Sequence, residues 1–233
     1  MSHVQQFADC LSRLRKASMA TLLALLVVSV FGIPFFAEPG SLVARIVQDV
    51  LLSLILVAGV VTSTERPGVF PLIALGALIA VAVRGASWLF PPDFTLALRD
   101  ETALAAVALI SATLGMIVFG PGKVTFDRID GAIALYILIG MIWAYAYQLV
   151  DLRFPHAFSG ATLGPETENA STWIYFSFVT LTTAGYGDIV PIAPQARSFA
   201  NLEGLIGQLY PAIVLARLVS LHLAGRGSGA DKI

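Results

Sequence analysis

The residues whose types and spacing could do chemistry are concentrated in the glycine loop, Thr182–Asp188, which reads Thr-Thr-Ala-Gly-Tyr-Gly-Asp. Two glycines, Gly185 and Gly187, alternate with larger residues, and glycine adopts left-handed backbone angles at little steric cost. This alternation lets successive backbone carbonyls point to one side. Several copies around an axis would then form stacked rings of oxygens, which can replace the hydration shell of a monovalent cation. The loop therefore predicts ion binding by backbone oxygens.

The composition indicates that this loop belongs to a membrane protein. Of the 233 residues, 57 % are hydrophobic and 12 % are charged, and the mean hydropathy is +0.83. Soluble domains carry about 25 % charged residues, and one soluble domain could not bury so much apolar surface. The net charge of −1 argues against nucleic acid as a partner, and one cysteine, Cys10, excludes an intramolecular disulfide framework. The lipid bilayer is the expected partner, and no soluble partner is indicated.

The apolar segments predict an all-α integral membrane protein with six transmembrane helices. A helix needs about 20 apolar residues to cross the hydrocarbon core. Between the fifth and sixth segments, Asp151–Arg197 is too polar and glycine-rich to cross. A cleaved signal peptide is the less favoured alternative for the first segment, because its apolar run is long and no A-x-A-like site follows it. The six segments are Met19–Phe36, Leu42–Thr62, Val69–Phe90, Ala103–Phe119, Ala132–Val150 and Phe199–Leu223.

The basic residues predict the orientation of these spans. With the N-terminus inside, inner loops and tails hold nine of the 14 Lys and Arg residues, and outer loops hold three. Because cytoplasmic loops are enriched in Lys and Arg, both termini are expected in the cytoplasm. Asp151–Arg197 then faces outward.

A short aromatic segment beginning near Trp173 precedes the glycine loop and predicts a helix of about three turns, with Asn169 and Ser171 as candidate caps. Such a helix is too short to cross the membrane, so the chain is expected to dip in and return. Non-helical backbone at membrane depth is tolerated only where it is buried in protein or lines water. A re-entrant loop beside a water-filled path is therefore predicted.

The stretch Thr183–Asp188 resembles the T-V-G-Y-G-D selectivity filter of tetrameric potassium channels. The wider resemblance covers Gly131–Leu223, which corresponds to outer helix, pore helix, filter and inner helix. It is similar to small prokaryotic six-span channels in which four peripheral helices precede the pore. The domain organisation this implies is a cytoplasmic N-terminus (1–18), four peripheral helices (19–120), a cytoplasmic linker (121–130), a pore domain (131–223) and a short cytoplasmic tail (224–233).

For the ion path, the resemblance implies that the backbone carbonyls of residues 183–186 form the K⁺ sites and that Gly187 completes the filter. The hydroxyl of Thr183 would complete the innermost K⁺ site. Four further residues would support the filter. In chain order the filter residues are Thr183, Ala184, Gly185, Tyr186 and Gly187, and the supporting residues are Tyr175, Val179, Thr182 and Asp188.

For the inner helix, the resemblance places Gly207 at the hinge glycine of the family, although a glycine that only packs against another helix is an equal alternative. On the same register Gln208, Pro211 and Leu215 would face a water-filled cavity. Glu203, one turn before Gly207, has three open interpretations. It could bond polar groups behind the filter, be protonated and set pH sensitivity, or only pack.

Three positions depart from the family pattern. Ala184 replaces the usual valine, which predicts a less rigid filter because the smaller side chain packs less tightly behind it. Tyr175 and Phe176 replace a tryptophan pair, and the Tyr175 hydroxyl is expected to donate to Asp188. Val179 stands where some relatives place an acid. Inactivation of the filter through paired carboxylates is therefore not expected.

Charged residues in the first four spans predict packing rather than voltage sensing. A voltage sensor needs several basic residues in one span, and the fourth predicted span has none. Arg45, Asp49 and Arg84 are hypothesised to form a cluster that locks the second span to the third, the alternative being that each reaches the interface separately. Arg217 is expected to reach lipid headgroups.

Together these features predict a homotetrameric, potassium-selective channel of the plasma membrane, in a prokaryote the inner membrane, that conducts K⁺ passively. No cofactor is expected beyond the permeant K⁺ ion. An enzyme is not expected, because the three histidines show no metal-ligand spacing and no nucleophile partner. A weakly selective cation channel is the alternative. A secondary transporter is less favoured, because such proteins tend to pair two broken helices and the chain shows one.

Overall fold

A computed structural model describes residues 19–36, 41–63, 68–90, 92–122, 124–160 and 170–230. The predicted N-terminus (1–18), the candidate cap Asn169 and residues 231–233 of the predicted tail lie outside the described residues. Most described residues are helical, as expected for an all-α membrane protein, and two short strands are added. The elements are α1 (Met19–Gly32, continued by Ile33–Phe36), α2 (Leu42–Thr62), α3 (Phe70–Ala86), α4 (Pro92–Val118), α5 (Phe126–Arg153), β1 (Phe158–Gly160), α6 (Ala170–Leu181), β2 (Ile189–Pro191) and α7 (Pro194–Ala230).

Four of these helices contain a stretch that is long and apolar enough to cross a membrane. Two further helices, α1 and α3, are apolar but shorter. All six overlap the predicted segments, although α4, α5 and α7 begin earlier than predicted, so the described part of the chain has the helices of a membrane protein. The four longer stretches are Leu42–Thr62, Ala97–Val118, Phe126–Arg153 and Pro194–Leu221.

Helix α4 begins at Pro92, well before the predicted start of the fourth span at Ala103. Proline suits the first turn of a helix because its missing N–H would have no partner there. Arg99 and Asp100, which lie before the predicted fourth span, are therefore helical and buried. The pattern missed them because hydropathy alone excludes charged residues from a span.

Helix α7 is also longer than predicted. It starts at Pro194, runs through Pro211 without interruption and continues to Ala230. Residues 224–230, predicted as part of a separate tail, continue the inner helix as far as Ala230. No proline follows Pro211 to remove a backbone donor and stop the helix.

The peripheral helices α1–α4 and helix α5 share one apolar core. Leu22 of α1, Ile55 of α2, Ile73 of α3 and Ile110 of α4 are all buried in it. Gly59 of α2 lies so close to Ile110 that a Cβ would meet its side chain at 2.5 Å. The bundle thereby supports one side of α5.

A buried ion pair joins the peripheral helices to each other. The Arg84 guanidinium donates to the Asp49 carboxylate over 2.5 Å and contacts the Tyr145 hydroxyl of α5 at 3.3 Å. The predicted lock between α2 and α3 is therefore confirmed for Asp49 and Arg84. Arg45 is not part of it, because its guanidinium lies 5.5 Å from the ring centre of Trp88.

A two-stranded antiparallel sheet closes the segment around the glycine loop. In β1 and β2, Phe158 pairs with Pro191 and Gly160 with Ile189. A Cβ at Gly160 would overlap the carbonyl oxygen of Asp188. The chain just before α6 and the chain just after the loop are thus tied together, which the sequence analysis did not predict.

Candidate functional site

The glycine loop follows directly on the C-terminus of α6. At 1.5 Å per residue, this helix of 12 residues is about 18 Å long, too short to cross a hydrocarbon core of about 30 Å. Its outer half is anchored by buried aromatic rings, since Trp173 and Phe176 pack edge-to-face against Phe158 and Phe176 against Tyr147. The helix thereby directs its partially negative C-terminus, at Leu181, toward the loop.

The backbone of the loop alternates through left-handed angles. Thr183, Gly185 and Gly187 have φ values of 58°, 58° and 80°. The left-handed conformation predicted for the two glycines is confirmed. Thr183 was missed, because a residue with a Cβ rarely adopts this conformation and no sequence signal marks it.

The loop's N–H groups face the helix that precedes it. The N–H of Thr183 donates to the Thr180 carbonyl over 2.9 Å, and those of Ala184 and Gly185 donate to the Val179 carbonyl over 2.9 and 3.3 Å. Within the described part of the chain, the carbonyl oxygens of residues 183–186 accept no hydrogen bond. Four acceptors therefore remain available to a ligand.

The outer end of the loop is held by Tyr175. Its hydroxyl donates to the Asp188 carboxylate over 2.7 Å, so the hydrogen bond predicted between them is confirmed. This bond lowers the pKa of Asp188 below its ordinary value of 3.8, and it raises the pKa of Tyr175 to about 12. The Tyr175 ring also stacks on Tyr186 with ring centres 6.4 Å apart.

A cavity of about 710 Å³ lies behind the loop. Ala184 and Val179 line it, together with Phe31 of α1 and Ile137 of α5. The space beside Ala184 is consistent with the looser packing that this small side chain predicts. The rigidity of the loop itself stays a prediction.

Gly207 of α7 lies at a close contact between the inner helix and α6. A Cβ at this position would overlap the carbonyl oxygen of Leu181 and lie 2.7 Å from its carbonyl carbon. The geometry favours the packing interpretation of Gly207, and its role as a hinge stays a prediction. Gln208, Pro211 and Leu215, predicted to face a cavity, are exposed on the single chain.

Glu203, one turn before Gly207, is fully buried behind the loop. One carboxyl oxygen lies 2.5 Å from the Tyr147 hydroxyl of α5, and the other lies 2.5 Å from the Ser177 hydroxyl of α6. The interpretation that Glu203 bonds polar groups in this place is confirmed. Ser177 and Tyr147 were missed, because neither stands out in an aromatic, apolar segment.

Two arginines hold the junction between α4 and α5. Arg217 of α7 donates to the Phe119 carbonyl over 3.1 Å, and Arg128 donates to the carbonyls of Pro121 and Gly122. Arg217 thus contacts the end of α4, and its predicted contact with lipid headgroups stays a prediction. A carbonyl at the end of α4 is left without a helical partner and lies within its reach.

Comparison with known proteins identifies the same part of the chain. Residues 131–222 match a family model described as "Ion channel". A rice protein (Oryza sativa subsp. japonica) named Two pore potassium channel c is 36 % identical over 90 residues, which are 37 % of this chain and 20 % of the rice protein.

Two bacterial proteins named Protein LctB are also similar. That of Bacillus caldotenax is 25 % identical over 100 residues, 42 % of this chain and 74 % of the relative. That of Geobacillus stearothermophilus is 29 % identical over 80 residues, 33 % of this chain and 59 % of the relative. The match to the rice protein thus spans a fifth of its length, and all three alignments cover less than half of this chain. Over residues 131–222 the chain is similar to an ion channel, and its resemblance to the potassium channel pore family is confirmed.

Proposed function

We propose that this protein is a potassium-selective channel that conducts K⁺ passively through a homotetrameric pore. One observation carries the proposal: the backbone N–H groups of residues 183–185 bond back to α6, while the carbonyls of residues 183–186 accept no hydrogen bond in the described part of the chain. Carbonyls of Thr183, Ala184, Gly185 and Tyr186 from four chains would coordinate K⁺, and Gly187 would complete the filter. Conduction of this kind involves no covalent step.

The exposed side of the pore segment supports a tetramer. Only 11 % of the most apolar window of α7 is buried, against 61 % for α5. Tyr186 is 73 % exposed at the end of a loop whose neighbours are buried aromatic rings. Neighbouring copies would cover these surfaces around a common axis. The large apolar side chains exposed along α7 are Phe199, Leu202, Leu205, Leu209, Ile213, Leu215 and Val219.

The peripheral helices support a channel without a charged sensor helix. Arg99 is the one basic residue of α4, and Asp100 follows it directly. A single arginine beside an acid moves little net charge across the membrane field. We propose that α1 and α3 also cross the membrane, which gives six spans with both termini in the cytoplasm. The α6 helix and the glycine loop then form a re-entrant segment.

A weakly selective cation channel is the second candidate, and the cavity beside Ala184 favours it. Selectivity through carbonyl rings depends on how well the loop keeps its geometry around a dehydrated ion. If neighbouring copies leave this space empty, the loop can widen into it. Ala184→Val should fill part of this space, so a gain in K⁺ over Na⁺ selectivity in this variant would identify looseness of the wild-type loop.

The reversal potential of purified protein in planar bilayers tests the proposal. In opposed K⁺ and Na⁺ solutions, it should follow the K⁺ gradient. Gly185→Ala should abolish selective conduction, because residue 185 has φ of 58° and an L side chain is strained there. Gly85→Ala is the matched control, since a Cβ at Gly85 of α3 meets nothing within 4 Å. A reversal potential that ignores the K⁺ gradient would contradict K⁺ selectivity.

A further inference from the structure

A continuous chain of polar contacts runs through the space between three helices behind the glycine loop. Tyr147 of α5 lies 2.5 Å from one oxygen of Glu203 on α7, and Ser177 of α6 lies 2.5 Å from the other. Ser177 in turn lies 2.7 Å from the carbonyl oxygen of Gly140, back on α5. The three contacts join α5 to α7, α7 to α6 and α6 back to α5.

Counting hydrogens along this chain determines its protonation state. Each of the three contacts joins two oxygens, so each needs one hydrogen. Tyr147 and Ser177 supply one each, and the Gly140 carbonyl can only accept. If Ser177 donates to Gly140, then the contact between Ser177 and Glu203 is satisfied only when the carboxyl group carries the third hydrogen. An ionised Glu203 would leave one buried oxygen–oxygen contact without a hydrogen.

Among the described residues, the side chains that contact Glu203 include no cation to balance a negative charge. The ionisable groups that face it from α5 are Tyr147 and Tyr136, and from α6 it meets the Ser177 hydroxyl. The ion pairs Asp49–Arg84 and Glu101–Arg153 use other carboxylates, and neither includes Glu203. A buried carboxylate without a cation or a metal is costly, whereas a neutral carboxylic acid with two partners is not.

We propose that Glu203 is held as a neutral carboxylic acid that donates to Ser177 and thereby positions α6 against the inner helix. The proposal deepens the proposed channel function, because α6 carries the glycine loop. Raising the pH removes the hydrogen from Glu203. The Ser177 hydroxyl can then donate to either the Gly140 carbonyl or the Glu203 carboxylate but not to both, so the packing of α6 against its neighbouring helices loosens. Alkaline pH therefore loosens this contact between α6 and α7, and acidic pH does not.

Infrared spectroscopy of the purified protein tests the protonation state without any need for conduction. At neutral pH the spectrum should contain the carbonyl stretch of a buried carboxylic acid, and Glu203→Gln should remove it. Glu101→Gln is the matched control, because Glu101 is exposed and paired with Arg153, so this variant should keep the band. Absence of the band in the wild type, or its persistence in Glu203→Gln, would overturn the proposal.

The substitution Glu203→Gln also distinguishes whether residue 203 acts as a neutral hydrogen-bond donor or as a negative charge. The glutamine carbonyl oxygen can accept from Tyr147 while the amide donates to Ser177, which reproduces the neutral acid. Glu203→Gln should therefore keep the wild-type melting temperature in detergent, whereas Glu203→Ala should lower it by about 5 °C. The melting temperature of the wild type should fall as the pH is raised above neutral, and that of Glu203→Gln should fall less. If Glu203→Gln and Glu203→Ala lowered the melting temperature equally, the positioning role would be overturned.

Conduction separates this proposal from the proposed function. If the protein conducts K⁺, current should fall reversibly at alkaline pH in the wild type and stay level in Glu203→Gln. A pH-independent wild-type current would contradict the positioning role and leave the channel function standing. Failure of any K⁺ conduction, with the infrared band present, would instead contradict the channel function alone.

Discussion

The two helices that hold α6 do so in different ways. Helix α5 has 61 % of its most apolar window buried, and it packs against both α4 and α6, whereas α7 has 11 % of its window buried. Each side has a close glycine. Gly140 of α5 faces the Phe178 ring, and Gly207 of α7 faces the Leu181 backbone. Each side also takes part in the polar chain through Glu203.

This difference indicates which surface the proposed tetramer would use. Both α5 and α7 contact α6 within one chain. The rest of the apolar surface of α7 is exposed, and in the proposed tetramer it would pack against other copies. A small change at Gly207 or Glu203 should therefore disturb the loop more than a larger change on the α5 side.

The largest effect is expected for Gly207→Ala. The new Cβ would overlap the Leu181 carbonyl, and backbone cannot rotate away as a side chain can. We expect the free energy of unfolding to fall by about 3 kcal/mol, the upper end for overpacked sites, and conduction to be lost. Melting in detergent and K⁺ flux into vesicles measure the two effects.

Gly204→Ala is the control for this prediction. It makes the same substitution one turn earlier on α7, where a Cβ would meet the Thr180 carbonyl at an ordinary 3.9 Å. This variant should keep its stability or gain up to about 1 kcal/mol, since alanine favours helix over glycine. Equal behaviour of the two variants would refute the close contact at Gly207.

Tyr147→Phe should come next. It removes the donor to one oxygen of the buried Glu203, and an unsatisfied buried acceptor costs about 1–3 kcal/mol. Tyr145→Phe is the control, because its hydroxyl only meets the Arg84 guanidinium at 3.3 Å. Denaturant melts should rank Tyr147→Phe as the less stable variant, and the opposite ranking would count against the polar chain.

Gly140→Ala tests the contact between α5 and α6, and it should lower the free energy of unfolding by less, about 1 kcal/mol. The added Cβ meets the Phe178 ring at 2.8 Å, and a ring can shift where backbone cannot. Combining it with Phe178→Leu should restore part of the stability in the same melting assay. If Gly140→Ala lowers the stability as much as Gly207→Ala, then α5 and α7 tolerate an added Cβ against α6 equally poorly.

The smallest effect is expected at the exposed outer end, for Tyr175→Phe. The Tyr175 hydroxyl lowers the pKa of Asp188, so its contribution is present at neutral pH and is lost as the pH falls through that lowered pKa. Without the hydroxyl, the pKa of Asp188 should rise back toward 3.8. Acid inhibition of the K⁺ current should therefore begin at a higher pH in the variant. An unchanged acid response would show that this bond has no role in conduction.

Several of these features could be predicted from the sequence. The glycine loop, the short helix before it and the positive φ of Gly185 and Gly187 follow from residue types and spacing alone, because glycine is the residue that such a backbone requires. The bond between Tyr175 and Asp188 followed from the resemblance. The start of α4 at Pro92 did not, because a hydropathy pattern ends where charges begin even when the helix continues.

The sequence by itself determined that this is a membrane protein with one loop suited to binding ions, because apolar length and glycine spacing are local properties. Tertiary structure alone decided what those elements touch. Gly207 against Leu181, and Glu203 between Tyr147 and Ser177, join residues far apart in the chain. Such contacts depend on how three helices cross, which no local pattern encodes.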